Sequence, residues 1–391
     1  MAITELDAVL SPEGWPYAST PPVEPGDPGR FHALFGRDSL ICSLQVLPAR
    51  PAVARATLRA LAALQGRRED PLTHEEPGKI IHEDRDRPPA TLVAAGWPDT
   101  GEEFRYYATA DATAWFLVVL AALGDGALAR ELEDHWRAAA GWLERALAAG
   151  GGFVRSGPAG RPGGLGQQGW RDADDPRDPA EGGSGILHAD GRLPAAPLAD
   201  ADTQAVAYAA LRALAALSGD ARWQTAAAEL SERLGETFGP DTMALEPDGT
   251  PVAGAGSQLG WLLWAEALPG AAPDAAAERL CEPDVLTAFG LRTLSSLHGA
   301  FDPHAYHRGS IWPFDSWLGW GGLRAAGRAE AAEQVRSGVL QALDELGRAP
   351  ELYAVTPEGA LEPVAMANRA QAWTVGARWA LEHGWDGRAG R

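Results

Sequence analysis

Alternation between very short and very long connections constrains this chain more than any other feature. Apolar residues recur at three- and four-residue spacing through Val53–Leu64, Ala114–Leu123, Leu128–Leu147, Val206–Leu217, Trp223–Leu234, Trp317–Ala326, Ala329–Leu346 and Met366–Leu381. That is the period of amphipathic helix, and alanine with leucine supplies high helix propensity. Period-two alternation is nearly missing, which disfavours sheet architectures. Some helical segments are joined by Gly124-Asp125-Gly126, by Ser218-Gly219-Asp220, or by Gly327 before Arg328. Connections that short force antiparallel neighbours. Between the pairs lie Gly- and Pro-rich stretches at roughly 67–105, 150–200, 238–256, 290–311 and 348–364. Loops longer than about 12–15 residues are uncommon unless they carry function, and the alternation places every long loop on one end of the helix array. The expected fold is all-α: about eleven or twelve helices closed as an (α/α)6 toroid of six helical hairpins, long loops on one face. No composition shift divides residues 31–391, which read as a single domain. The Pro- and Gly-rich residues 1–30 read as an N-terminal wrapping segment.

Composition narrows the partners. The 391 residues carry a formal net charge of -20, which disfavours nucleic acid and anionic membrane, since both need clustered Lys and Arg. No run of about 20 apolar residues suggests a membrane span. Met1 to Pro16 lacks the basic and apolar regions of a signal peptide. Cys42 and Cys281 are too few for a disulfide framework, so the expected compartment is the cytoplasm. Lys79 is the sole lysine among many arginines, which raises the prospect that its side chain is used. Tryptophan is abundant, 15 against 6 Tyr and 9 Phe, and flat apolar rings serve both cores and sugar faces. Trp136, Trp142 and Trp379 sit on helix stripes, whereas Trp170, Trp312 and Trp373 stand near acids or amides in or beside the long stretches.

Metal, nucleotide and serine-nucleophile chemistry lack their patterns. There is no HExxH or paired CxxC, no GxGxxG after a strand, no Walker motif and no GxSxG. No metal or cofactor is expected. What remains is acids and amides in the loops: Gln167-Gln168-Gly169-Trp170-Arg171-Asp172 followed by Asp174 and Asp175, and Pro350-Glu351-Leu352-Tyr353 with Glu358 and Glu362 nearby. Glycoside hydrolysis needs one protonated carboxyl for the leaving oxygen and a second carboxylate across the sugar ring. An acid flanked by Trp and Gln can be desolvated toward the donor role.

Seven short motifs then resemble, in order, those of amylo-α-1,6-glucosidase domains and the related glycoside hydrolase family 63, which includes mannosylglycerate and glucosylglycerate hydrolases. They are Phe35-Gly36-Arg37-Asp38-Ser39-Leu40, Gly78-Lys79-Ile80-Ile81-His82-Glu83, Tyr106–Thr113, Gln168–Asp172, Tyr306–Pro313, Pro350-Glu351-Leu352 and Gln371-Ala372-Trp373. The resemblance covers about residues 31–380. It implies an inverting mechanism with Asp172 as general acid and Glu351 as general base. It also implies a sugar pocket lined by Phe35, Arg37, Asp38, Glu83 and Asp111, with Trp170, Trp312, Gln371 and Trp373 as platforms or hydroxyl contacts. Lys79, Gln168, Gln204, Tyr306, His307 and Asp315 complete the candidate contacts, and Arg85 or Arg308 could meet a glycerate carboxylate. The chain has Phe314-Asp315 where the debranching pattern often has His-Asp. The implied substrate is a small α-glucoside or α-mannoside such as mannosylglycerate or glucosylglycerate. The alternatives are an α-glucan branch point, or epimerase or lyase chemistry on a similar toroid.

Overall fold

The computed structural model describes residues 5–21, 31–97, 103–158, 160 and 162–388. Among them the helices run in chain order as inner and outer partners. α1 (Gly36–Gln45) turns into α2 (Pro51–Ala63), and the short α3 (Ala90–Ala94) lies in the connection that follows. α4 (Ala112–Leu123) leads to α5 (Gly126–Glu131) and α6 (Glu133–Ala149), and α7 (Ala201–Ser218) to α8 (Arg222–Thr237). α9 (Gln258–Ala265) precedes α10 (Ala272–Leu280), α11 (Pro313–Ala325) precedes α12 (Ala329–Leu346), and α13 (Ala372–His383) closes the order.

The inner partners make a closed ring. α1 packs on α4, α4 on α7, α7 on α9, α9 on α11, α11 on α13, and α13 returns to α1. α2, α6, α8, α10 and α12 lie outside, each on the inner helix before it, and α12 also covers α13. The all-α toroid is therefore the architecture observed, with five inner helices each followed by an outer mate and the sixth shielded by α12. The turn from α4 to α5 shows how the hairpins are made. Gly124 takes a left-handed φ of 65°, a conformation glycine adopts without steric cost. Asp125 then caps α5 by accepting from the N–H groups of Ala127 and Leu128. Where α9 crosses α11, a Cβ on Gly260 would stand 2.5 Å from the Gly319 Cα, so the two backbones touch.

Two inner helices, α1 and α9, escape the periodicity argument for one reason. Every residue of each is buried, so there is no polar face to create a period. The short α10 is also missed. The expected Leu128–Leu147 helix is broken at Leu132 between α5 and α6. The expected start at Met366 moves to Ala372 because Asn368 is held in the preceding loop, its carbonyl accepting from the Glu351 N–H at 3.0 Å.

Short strands, two to four residues each, line the end of the ring where the inner helices begin. β1 (Leu34–Phe35), β2 (Glu83–Arg85) and β3 (Phe104–Tyr106) form an antiparallel sheet with Phe35 opposite Glu83 and Glu83 opposite Tyr106. Three further small sheets join β4 (Ala199–Asp200) to β5 (Thr242–Leu245) and β6 (Pro251–Ala253), β7 (Leu286–Thr287) to β8 (Gly290–Leu291), and β9 (Tyr353–Val355) to β10 (Leu361–Pro363). Strands this short cannot show alternation in sequence. In the described part of the first thirty residues, Leu6 and Val9 enter the core. There the Ala18 carbonyl accepts from Ala372 N–H at 2.8 Å. Residues 1–4 and 22–30 of the expected wrapping segment lie outside the described residues. No described helix is long and apolar enough to cross a membrane.

Candidate active site

The long loops converge where the inner helices start, and a pocket opens there with about 370 Å³ of space including its mouth. Its walls come from six separated stretches of chain. The first turn of α1 brings Arg37 and Asp38 beside Phe35, and the acid loop brings Trp170 and Asp172. The loop before α11 brings Tyr306, His307 and Trp312. Glu351, Gln371 and Trp373 complete the sequence-derived lining, and Phe31 and His82 join it without having been singled out as contacts.

Arg37 organises the acid side. Its Nε donates to both Asp111 oxygens at 3.0 and 2.8 Å, one terminal nitrogen donates to Asp172 Oδ2 at 3.1 Å, and the other to the Gly169 carbonyl at 2.9 Å. Asp111 ends the loop before α4 and also accepts from Thr109 Oγ1 at 2.9 Å. Asp111 is thus a support for Arg37 beneath the pocket. The acid loop has a second anchor in Arg171, which donates to Asp202 Oδ2 at 3.1 Å, the Thr293 carbonyl at 2.8 Å and Ser257 Oγ at 2.9 Å. The Arg171 guanidinium lies 4.5 Å from the Trp170 ring centre, a cation–π distance. Trp170 in turn stacks on Trp261 with an 8° interplanar angle. Gly169, Arg171 and Asp172 are therefore tied to the starts of α1, α7 and α9.

Glu351 is held from the other side. Tyr306 O–H donates to Oε1 at 2.7 Å and the Asn368 N–H donates to Oε2 at 3.2 Å. Asn368 Nδ2 donates to Gln371 Oε1 at 3.0 Å, and Gln371 Nε2 donates to Asp38 Oδ1 at 3.3 Å. One network therefore runs from Glu351 to Asp38. Tyr353 and Ile311 exchange backbone hydrogen bonds at 2.8 and 3.0 Å, which seats the Glu351 loop against the strand leading to Trp312.

Burial governs the protonation of all three pocket acids. It lifts Asp172 to about 6 against the opposing pull of Arg37. It lifts Asp38 to about 7, again against Arg37. It lifts Glu351 to about 8, with the Tyr306 and Asn368 donors pulling back and the Asp38 and Asp172 charges adding to the rise. Burial pushes His82 and His307 well below the usual imidazole range, so both are neutral. His307 Nδ1 accepts from the Gly185 N–H at 3.1 Å. Burial holds the Tyr306 hydroxyl far above its ordinary value, so it remains a donor.

Several sequence candidates lie elsewhere. Glu83 is buried against the pocket wall but pairs with Arg85, whose guanidinium sits 5.2 Å from the Phe35 ring centre. Arg308 is spent on the Pro176 and Ser184 carbonyls at 3.0 and 2.9 Å. Neither arginine is among the residues that line the pocket. Asp315 lies beneath the site, accepting from Trp261 Nε1 at 2.6 Å. Gln204 fastens the start of α7 to the Val154 backbone at 2.9 and 2.8 Å. Lys79 and Gln168 face a different cavity. The rival acids point away: Asp174 is exposed, Asp175 pairs with Arg177, Glu358 is exposed, and Glu362 pairs with His304 at 2.8 Å. Among the described residues no three His, Cys, Asp or Glu side chains form a group able to hold a metal. His82 stands inside a quoted motif and could have been found there. Asn368 acts through its backbone N–H, which has no sequence signal.

Comparison with known proteins agrees with this architecture. A solved glycoside hydrolase family 63 mannosylglycerate hydrolase from Thermus thermophilus, in complex with Tris and D-glycerate, superposes with a TM-score of 0.66 at 14% identity, over 98% of each chain. The same enzyme in complex with glucose gives 0.64 at 16% identity, again over 98% of each chain. A further solved glycosidase gives 0.55 at 14% identity, over 98% of this chain and 95% of its own. At such identities the likeness establishes the fold. No curated protein sequence matches the chain. The sequence profile of the mannosylglycerate hydrolase MGH1-like glycoside hydrolase domain matches residues 51–354, most of the chain, which therefore belongs to that family of glycoside hydrolases.

Proposed function

We propose that the chain is an inverting, exo-acting α-glycosidase in which Asp172 is the general acid and Glu351 the general base. The observation that carries this reading is that both acids open on the same small pocket and are held by different partners. Asp172 is fixed by Arg37 and Glu351 by Tyr306 and Asn368. Asp172 donates its proton to the glycosidic oxygen as the bond to the anomeric carbon breaks. Glu351 takes a proton from the attacking water, and the sugar leaves with inverted configuration. Because burial sets Asp172 near 6 and Glu351 near 8, the pair shares one proton between those limits. Those values place the proton mostly on Glu351, so hydrolysis proceeds from the less populated arrangement in which it sits on Asp172. Asp38 and Gln371 are suited to sugar hydroxyls, and Trp312 and Trp373 to the apolar face of the ring.

The pocket's size favours a single sugar unit, hence a small α-glucoside or α-mannoside, and the family name together with the glycerate and glucose complexes of its structural neighbours supports mannosylglycerate or glucosylglycerate as the first substrates to try. Proton NMR of purified enzyme with each of these, and with the matching glycerol glycosides, tests the proposal. Release of the β-anomer in the first turnovers is expected. An intact glycosidic bond, an epimerised sugar or an unsaturated product overturns it. Preference between the charged and neutral aglycones then identifies the leaving group.

A further inference from the structure

Lys79, the one lysine of the chain, has no place in the pocket just described. It lines a second, larger cavity of about 720 Å³ including its mouth, between α6 and the loops before α4 and α7, together with Glu76, Trp142, Arg155, Ser156 and Gln168. The Lys79 side chain is only 4% exposed, and holding an ammonium in such a place is costly without partners. Its Nζ donates to Glu76 Oε1 at 2.8 Å, which accounts for one of three N–H donors. The other Glu76 oxygen accepts from Trp142 Nε1 at 2.9 Å, so the ion pair is braced by the helix behind it. Arg155 adds a second positive charge and is itself fixed by backbone carbonyls of Gly150, Pro197, Leu245 and Glu246. His74, also on the wall, is pushed down to about 4, chiefly by burial, and is neutral. The cavity thus offers fixed donors, a carboxylate, an amide and a hydroxyl, with a small positive surplus in a strongly acidic protein.

We propose that this cavity is a second binding site for a small polyhydroxylated ligand, a monosaccharide or its sugar acid, with Lys79, Ser156 and Gln168 contacting its oxygens. The site borders the catalytic side of the ring directly. Gln168 N–H donates to Ser156 Oγ at 3.3 Å and the Gln168 carbonyl accepts from the Ala110 N–H at 2.8 Å. Thr109, another wall residue, donates to Asp111, the partner of Arg37. A ligand here therefore sits behind the segment that carries Trp170 and Asp172.

The single lysine makes the test direct, and it does not depend on the proposed reaction. Protein grown with 13Cε,15Nζ-lysine gives one side-chain lysine signal that needs no assignment. Titration with glucose or mannose, and in a parallel arm with gluconate or glycerate, should shift that signal saturably. The shift should persist in Glu351→Gln protein, where turnover is slowed by orders of magnitude. Ala146→Phe, which fills the cavity from its wall and leaves both Lys79 and the catalytic pocket in place, should weaken the response at least tenfold while hydrolysis is unchanged. A response to the neutral sugars alone or to the acids alone identifies the ligand class. No shift from any of the four compounds, or a response undiminished by Ala146→Phe in folded protein, overturns the assignment.

Discussion

Glu351→Gln separates the stability cost of the proposed base from its chemistry. Burial raises this carboxyl from 4.5 to about 8 even though Tyr306 and Asn368 donate to it. The unfolded chain releases the same proton at the ordinary value, so between those pH values the native protein binds more protons than the unfolded one. Stability then falls as pH rises across that window. The full shift corresponds to about 5 kcal/mol, and the portion lying between about pH 5.5 and about pH 8.5 comes to about 3 kcal/mol by the linkage relation. Gln cannot ionise and loses this slope. It presents its oxygen to the Asn368 N–H and its amide to the Tyr306 hydroxyl, and any cost of that exchange is the same at both pH values and cancels. Relief of the charges on Asp38 and Asp172 acts in the same direction. Urea unfolding of both proteins at the two pH values, followed by tryptophan fluorescence, should show the variant gaining about 3 kcal/mol on the parent toward alkaline pH. A gap between the two proteins that does not move with pH would refute the reasoning that burial dominates this carboxyl.

The remaining expectations concern the acid loop, the base and the ring. Asp172→Asn and Glu351→Gln should each lower kcat by about 10²–10⁴-fold, read on the best glycoside from the NMR screen; near-parental rates in both would discard the two-acid assignment. The pH profile of kcat/KM should be a bell with limbs near 6 and 8, from Asp172 and Glu351, and a plateau extending well above 8 would argue against it. Tyr306→Phe removes the donor to Glu351 Oε1 and should cost about ten- to a hundredfold in kcat, the equivalent of a hydrogen bond to a charged group, with little change in melting temperature at acid pH. Arg171→Met leaves Asp202 buried without its partner and should destabilise the fold by about 3–5 kcal/mol, measurable by thermal or urea unfolding. Gly260→Ala puts a methyl against the Gly319 backbone and should cost about 1–3 kcal/mol, although alanine is the better helix former.

The longer outer helices were legible because each has a wet and a dry face, as in α6, α8 and α12. The buried α1 and α9 were not, because the period that betrays a helix is a record of its solvent exposure. The same logic divides the site. Asp172 and Glu351 stood out as acids in long loops, and the ordered motifs made them a pair. Nothing local distinguished Arg85 and Arg308 from pocket residues, since what removes them is the nearness of Glu83 in one case and two carbonyls in the other.

From the sequence came the helical ring, the side on which its loops gather, and, through the family resemblance, the expectation that Arg37, Asp38, Asp172, Glu351 and Gln371 share one pocket. Helix propensity, turn chemistry and connection length are short-range properties and can be read along the chain. Tertiary structure alone decided that Asp111 reaches the pocket only through Arg37, that Asn368 supports Glu351 with a backbone N–H, and that Lys79 serves a separate cavity. Those outcomes depend on which donors and acceptors close within 3 Å after distant segments meet, and on how deeply each charge is removed from water.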